Sequence, residues 1–299
     1  MTRRGWALFL AMCLVWGIPY LLIKVAVRDI SPASVVFLRT AIGALVLMPI
    51  AIGRGRLREL LPLWPAIIGF TLAETAIPWL LLSDAELQLS SSLSGLLIAA
   101  VPLVGAVIAA IIGQERLDLR RLAGLLVGLA GVAALLGLDL GGGNLRAVGE
   151  VGIVVLGYAI GPMIVARKLS GVRQLDVIAV SLAICALGYA PFGISQLPDR
   201  LPGPDVVASI VVLGLICTAT AFVLYFSLIG EIGPVRATVF TYVNPAVAVL
   251  LGVTVLGEPL RSAMALGFVL ILAGSYFATR KPGSAENVLS DTAAPGAGG

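Results

Sequence analysis

Long apolar stretches dominate the chain, and short polar segments separate them. Ten apolar segments can be distinguished, at residues 6–26, 33–52, 62–82, 89–112, 119–139, 149–167, 175–195, 205–228, 235–256 and 263–279. A helix of about 20 apolar residues crosses the ~30 Å hydrocarbon core of a bilayer. The segments lack the alternation of barrel strands, so each predicts a transmembrane helix. They are called spans 1 to 10.

The composition supports this interpretation and excludes several classes of protein. Only 12% of the 299 residues are charged, whereas soluble domains carry roughly 25%. The chain has no histidine, which excludes histidine-dependent catalysis and histidine-ligated zinc or haem. It also lacks the phosphate-binding motif of ATPases. No cofactor, metal site or nucleic-acid partner is expected.

The basic residues are distributed unevenly between the two sides of the membrane. If the N-terminus is cytoplasmic, 14 of the 20 lysines and arginines fall on the cytoplasmic side and five on the other, while Arg39 lies within span 2. Cytoplasmic loops carry an excess of lysine and arginine. We therefore expect a multi-pass protein of the cytoplasmic (inner) membrane with both termini in the cytoplasm. The polar tail, residues 282–299, is expected to be disordered.

The two halves of the chain correspond to each other under one ungapped shift of 143 residues. The shift aligns Pro19 with Pro162, Pro102 with Pro245, and Glu115 with Glu258. Each half contains five spans, an odd number, so the second half must cross the membrane in the opposite sense. The sequence thus predicts an all-α integral membrane protein with ten transmembrane helices. They form two inverted five-helix repeats, residues 5–139 and 149–281.

Several of these motifs resemble the drug/metabolite transporter superfamily, specifically its EamA-type members. The resemblance rests on Trp16-Gly17 in span 1, on Arg39 in span 2, and on the proline-to-glutamate spacing that closes spans 4 and 9. It covers residues 5–281 and implies a secondary transporter that works by alternating access. Such a carrier exports or exchanges amino acids or drug-like compounds, driven by a proton or exchange gradient. The second repeat has Leu182 in place of Arg39, so a role of Arg39 is not duplicated.

Two alternatives to an exporter would each require particular residues within the spans. An uptake or antiport carrier for nucleotide-sugar-like or phosphorylated metabolites would need several basic cavity residues, and the spans offer Arg39 and Lys24. An intramembrane enzyme would need clustered carboxylates or a nucleophile with its base. Glu74 is the one acid predicted deep within a span, so the sequence does not indicate an enzyme.

Glu74 and Arg39 are the charges predicted to lie deepest in the membrane. A charge at the centre of a span costs roughly 2.5–3.5 kcal/mol on insertion scales, so it needs a partner, a cavity or a proton. Glu74 is predicted to contact the substrate or to carry a proton, or else to form a structural ion pair with Arg39. Arg39 is predicted to bind a substrate carboxylate, or else to pair with Glu74 or with backbone carbonyls.

Further residues are predicted to line the substrate path because they lie near prolines or share a helix face with polar groups. They are Trp16, Tyr20, Ser94, Thr218, Tyr225, Thr241 and Asn244. Helix packing is the alternative role for each of them. Prolines within spans free backbone groups, so the aligned pairs are predicted hinges. These are Pro19, Pro102, Pro162 and Pro245.

The remaining predictions concern span ends and small residues. Lys24 is expected to extend its ammonium group to the membrane interface. Glu115 and Glu258 are expected to pair locally or to pin a helix end. Stripes of small residues, such as Gly105/Ala109/Gly113 and Gly124/Gly128, allow helices to approach closely. They serve internal packing or a dimer contact, so the protein is expected to be a monomer or a homodimer.

Overall fold

The computed structural model describes residues 2–113, 118–139, 145–233 and 237–279. All regular structure within these ranges is helical, so the all-α prediction is confirmed. Nine helical segments in the described part are long and apolar enough to cross a membrane. They are Arg3–Ala26, Pro32–Ile52, Leu57–Gln88, Ser91–Ile111, Leu145–Lys168, Gln174–Ser195, Pro204–Ile232, Val239–Leu256 and Ser262–Thr279. Span 5 forms the helix Leu119–Asp139, which is not among the nine. Glu115 and the tail lie outside the described residues.

Three spans are interrupted by a break in the helix. Span 1 consists of Arg3–Val15 and Pro19–Ala26. Span 4 consists of Ser91–Ile98 and Val101–Ile111. Span 9 begins as a 3₁₀ turn, Thr238–Tyr242, and continues as the α-helix Asn244–Leu256.

Proline explains where these breaks lie, because it has no N–H for the preceding turn and is tolerated at the start of a helix. Pro19, Pro102 and Pro245 each occupy the first or second position of the helix after a break. Pro162 differs, because it lies inside the continuous helix Leu145–Lys168. A hinge role stays a prediction for all four prolines, and Pro162 lacks the local break that the other three have.

Spans 3 and 8 each contain one wider, π-helical turn. The turns are Leu72–Ala76 and Leu215–Thr220. The 143-residue shift that aligns the repeats places them at equivalent positions. Turns of this kind are rare and occur frequently at functional sites. The two repeats therefore share a local deformation that the hydrophobic pattern did not indicate.

Span 3 extends further than the sequence predicted. The predicted boundary was residue 82, but the helix continues to Gln88. The segment Ser83–Gln88 is polar yet contains no glycine or proline to end the helix. Glu86 consequently lies within the bundle and is 0% exposed. Glu86 is therefore an enclosed acid near the end of span 3 that the sequence did not indicate, while the depth of Glu74 in the membrane stays a prediction.

Spans 5 and 10 pack with their backbones close together. A Cβ atom on Gly274 would lie 2.6 Å from the carbonyl oxygen of Gly124, and one on Gly131 would lie 2.8 Å from that of Gly267. Small residues permit such backbone contact between membrane helices. The Gly124 stripe thus serves internal packing. Gly105 on span 4 differs, because a Cβ atom there would meet nothing within 4 Å.

We predict that Gly274→Ala destabilises the protein, because the added methyl group meets the backbone of span 5 and forces the two helices apart. Overpacking of this kind costs about 1–3 kcal/mol. Thermal unfolding of the detergent-solubilised protein measures the effect. Gly105→Ala is the matched control and should leave the unfolding temperature unchanged or raise it slightly, since alanine favours the helix. Equal unfolding temperatures for the two variants would contradict the packing interpretation.

Candidate functional site

Arg39 lies at the interface between the two repeats and is 5% exposed. Its Nε donates a hydrogen bond of 2.9 Å to Oγ1 of Thr218, in the π-helical turn of span 8. Its guanidinium carbon lies 3.6 Å from the ring centroid of Trp79 on span 3. An aromatic face attracts a guanidinium group, and more strongly when water is excluded. Arg39 is therefore held by a hydroxyl group and an indole ring.

Each π-helical turn receives a hydrogen bond from the second span of the opposite repeat. Arg39 on span 2 donates to Thr218 in the turn of span 8. The hydroxyl group of Tyr189 on span 7 donates to the carbonyl oxygen of Ala76 in the turn of span 3, at 2.9 Å. Buried backbone groups must be paired in a membrane, and a wider turn leaves carbonyls for other donors. These two bonds join the repeats at equivalent turns of spans 3 and 8.

Glu74 lies in the π-helical turn of span 3 and is half-buried. Its Oε2 atom is buried and has no hydrogen-bond partner. Span 6 approaches at Gly161, where a Cβ atom would overlap Oε2. The salt bridges of the described residues do not include an Arg39–Glu74 pair. The alternative that these two charges form a structural ion pair is therefore not what the structure shows.

Tyr158 connects the surroundings of the two deep charges. It lies on span 6, three residues before Gly161, and within electrostatic range of both Arg39 and Glu74. Tyr225 on span 8 is also within electrostatic range of Glu74. Both deep charges thus lie within electrostatic range of Tyr158, and the acid also lies within range of Tyr225.

An aromatic cluster adjoins this acid through Tyr225. The ring of Trp16 lies 5.6 Å from Phe222, 5.1 Å from Tyr225 and 5.2 Å from Phe240, measured between centroids. Trp16 occupies the break in span 1, and Phe240 the 3₁₀ turn of span 9. The predicted site residues Trp16 and Tyr225 are therefore neighbours, gathered where two spans are interrupted.

The other predicted site residues are Tyr20, Ser94, Asn244 and Thr241, and they differ in burial. Tyr20 is 7% exposed and within electrostatic range of Arg39 and Tyr158. Its ring also packs near Gly95, the residue after Ser94. Ser94 is buried, and its hydroxyl group has no hydrogen-bond partner. Asn244 is 8% exposed, whereas Thr241 is an exposed residue. Thr241 is thus the member of the predicted set that the fold does not bury.

A second group of polar side chains lies where the end of span 3 meets the beginning of span 4. We call this end of the bundle the Glu258 end. The Nζ atom of Lys24 donates to the carbonyl oxygens of Glu86, at 2.5 Å, and Leu89, at 2.7 Å. Its ammonium group thus binds the unpaired carbonyls at the end of span 3, where a cation is favoured. The expectation that Lys24 reaches the membrane interface stays a prediction.

Glu258 holds the beginning of span 4 at the same end. Its carboxylate accepts hydrogen bonds from the backbone N–H of Ser91 at 2.7 Å, the N–H of Ser92 at 2.9 Å and the Ser92 hydroxyl at 2.5 Å. The first N–H groups of a helix have no partner within the helix and favour a negative charge. Glu258 therefore pins a helix end, as expected, and that helix belongs to the other repeat.

Four residues around Arg39, Glu74 or Lys24 were not predicted from the sequence, namely Trp79, Tyr158, Gly161 and Glu86. One signal was available, because the 143-residue shift aligns Trp79 with Phe222 and so places an aromatic residue after each π-helical turn. Tyr158 and Gly161 gave no signal, since their importance depends on which face of span 6 meets Glu74. Glu86 was missed because span 3 was ended too early.

The chain is similar to a known family, to known proteins and to a solved structure. The model of the EamA-like transporter family matches residues 3–137 and 151–280. The inner membrane transporter YedA of Escherichia coli (strain K12) is 29% identical, over 92% of each chain. A protein of Salmonella typhimurium named "Probable amino-acid metabolite efflux pump" is 23% identical, over 92% of this chain and 95% of its own. A crystal structure with 23% identity has the same fold, with a TM-score of 0.66 over 93% of this chain and 97% of that one.

We predict that Thr218→Val destabilises the protein, although the two side chains have nearly the same shape. The substitution leaves the buried Nε–H of Arg39 without its acceptor, which costs about 1–3 kcal/mol. Thermal unfolding in detergent measures the change. Thr220→Val is the matched control, because Thr220 lies in the same turn but is exposed. A Thr218→Val protein as stable as the control would show that the Arg39 bond contributes little.

Proposed function

The chain belongs to the EamA-like transporter family, and on that premise we propose that it exports small zwitterionic metabolites, amino acids above all, by alternating access. The family and YedA are named as transporters, and the Salmonella relative as an efflux pump for amino-acid metabolites. The substrate class, the direction and the energy source are our proposals. The proposed substrate class depends on one observation, the buried carboxylate oxygen of Glu74 that has no hydrogen-bond partner.

The surroundings of Glu74 suit a positively charged amino group. Its carboxylate has a buried oxygen without a partner, and the aromatic cluster of Trp16 and Tyr225 lies next to it. A buried carboxylate is costly unless it is paired or protonated. An ammonium group supplies both a charge partner and N–H donors, and aromatic faces attract it further. Either an amino group or a proton therefore satisfies Glu74 during transport.

Arg39 suits the carboxylate of the same substrate. An arginine has five N–H donors, and the bond to Thr218 uses Nε, which leaves the terminal nitrogens for a carboxylate. Arg39 and Glu74 both lie in electrostatic range of Tyr158. An α-amino acid carries its ammonium and carboxylate groups on the same carbon atom. A site with a cation and an acid near one tyrosine suits that arrangement.

The direction of transport and the orientation follow from charge and from the relatives. The excess of basic residues at the N-terminal end of the bundle favours the cytoplasm for that end. The Glu258 end then faces outward. The Salmonella relative is named an efflux pump, which supports export. Because the sequence has no ATPase motif, a proton gradient or exchange drives the movement.

The structure does not favour the alternative of a carrier for phosphorylated or nucleotide-sugar-like metabolites. A phosphate group would require several cations within the spans. Of the two predicted from the sequence, Lys24 is bonded to two backbone carbonyls, which leaves Arg39 alone to bind an anionic group. We therefore propose zwitterions.

Flux measurements in liposomes test this function. Purified protein is reconstituted, and the exchange of labelled amino acids, amines and phosphorylated metabolites is followed with and without an imposed pH gradient. We expect flux of amino acids, faster when the gradient is present. Flux of none of these compounds under either condition would refute the carrier proposal, and flux of phosphorylated compounds alone would favour the alternative.

We predict that Glu74→Gln weakens amino-acid transport, because a neutral amide cannot balance an ammonium group. A hydrogen bond to a charged group contributes about 1.5–3 kcal/mol, so the apparent affinity should fall by about ten- to a hundredfold. The measurement is the KM for amino-acid exchange in the same liposomes. Glu59→Gln is the matched control on the same span, since that side chain is 56% exposed. A Glu74→Gln protein with unchanged KM and unchanged pH dependence would exclude Glu74 from the site.

A further inference from the structure

Glu86 is the most completely enclosed acid that the structure describes. The residue is 0% exposed, and both carboxyl oxygens are buried without a hydrogen-bond partner. Its backbone carbonyl, but not its side chain, accepts a hydrogen bond from Lys24. A carboxylate without any donor is very costly to bury, whereas the protonated acid is far less so. The closed arrangement at the Glu258 end therefore accommodates Glu86 as the neutral acid.

The charges around Glu86 lead to the same conclusion. Lys24 and Glu258 both lie within electrostatic range of Glu86. Three donors surround the Glu258 carboxylate and stabilise it as an anion. The ammonium group of Lys24 balances that anion. A second negative charge on Glu86 would leave the buried group with an uncompensated charge.

Other titratable groups near this end are bonded elsewhere, uncharged or exposed to water. Tyr20 on span 1 lies within electrostatic range of Glu86, and Arg28, which lies near Lys24, is exposed. Arg146 bridges Asp84 and Glu150 between spans 3 and 6, at 2.8 Å from each. Glu86 is thus the buried acid of this end, within the described residues, that has no partner of its own.

We propose that Glu86 is a proton-binding site which controls the closure of the Glu258 end. The protonated side chain stabilises the closed arrangement, in which Lys24 and Glu258 hold the turn between spans 3 and 4. Loss of the proton creates a buried charge, and the turn separates from Lys24 and Glu258 so that water reaches the carboxylate. High pH therefore opens this end. The use of that opening in transport rests on the function proposed above.

Hydrogen exchange at the beginning of span 4 reports the closure directly. The amides of Ser91 and Ser92 have no acceptor within their own helix and are bonded to Glu258. They are protected only while the end is closed. Exchange is measured by mass spectrometry on the purified protein in nanodiscs, over a range of pH, for a peptide that spans residues 87–95. The exposed loop near Leu201, which is 94% exposed, corrects for the intrinsic effect of pH.

We expect the corrected protection of residues 87–95 to fall as the pH rises, by at most about tenfold per pH unit for one linked proton. Glu86→Gln keeps a neutral group and should stay protected at every pH. Glu86→Met also cannot ionise and should behave in the same way, so either variant suffices. Glu258→Gln should lose protection at every pH, by roughly tenfold or more, because the charged acceptor is gone. Glu59→Gln, an exposed acid at the other end of span 3, should match the unaltered protein.

Two results would overturn the proposal. One is protection that does not change with pH in the unaltered protein. The other is a pH dependence that persists in Glu86→Gln and Glu86→Met. Neither requires a substrate, so the measurement is independent of the liposome experiment. Absence of flux together with a pH-dependent closure that needs Glu86 would refute the proposed function and leave this inference standing.

Discussion

A guanidinium group buried between the two repeats is the constraint on which the centre of this structure depends. Removing one partner of a buried charge leaves the charge uncompensated and is strongly destabilising. A buried guanidinium group therefore needs partners, and Arg39 of the first repeat finds them in Thr218 of the second repeat and the ring of Trp79. It can do so only while spans 2, 3 and 8 keep their positions. The same arrangement leaves Glu74 without a bonded partner, which makes it available to a substrate or a proton.

The need to pair every backbone group in a membrane explains the other contacts between segments. Each interruption of a helix frees carbonyl or N–H groups, and side chains from elsewhere in the chain satisfy them. Tyr189 bonds the π-helical turn of span 3, Lys24 the end of span 3, and Glu258 the start of span 4. Such bonds can break and re-form more readily than those within a helix. They therefore lie where the proposed alternating access would require the protein to change shape.

Particular residues show which features of the site could be predicted from the sequence and which could not. Arg39 and Glu74 could be identified from the sequence because an isolated charge inside an apolar span is costly and is retained where it has a partner or a function. The ion pair between them, one of two alternatives, does not form, since partners depend on which helix faces meet. The sequence did not indicate that Lys24 binds the carbonyls at the end of span 3, because that contact depends on how spans 1 and 3 pack. Glu86 was placed outside span 3 because hydropathy alone ended the helix at the first polar residues.

The sequence by itself determined the all-helical membrane architecture, the two repeats and the identity of two deep charges. These follow from local properties, namely the hydrophobicity of each segment, the positions of prolines and glutamates, and the cost of an isolated charge in lipid. Only the tertiary structure decided the partners of Arg39, the enclosure of Glu86 and the capping of one repeat by Glu258 of the other. Each of these depends on the rotation and approach of helices distant in sequence. Packing between whole faces sets that geometry, and no single segment encodes it.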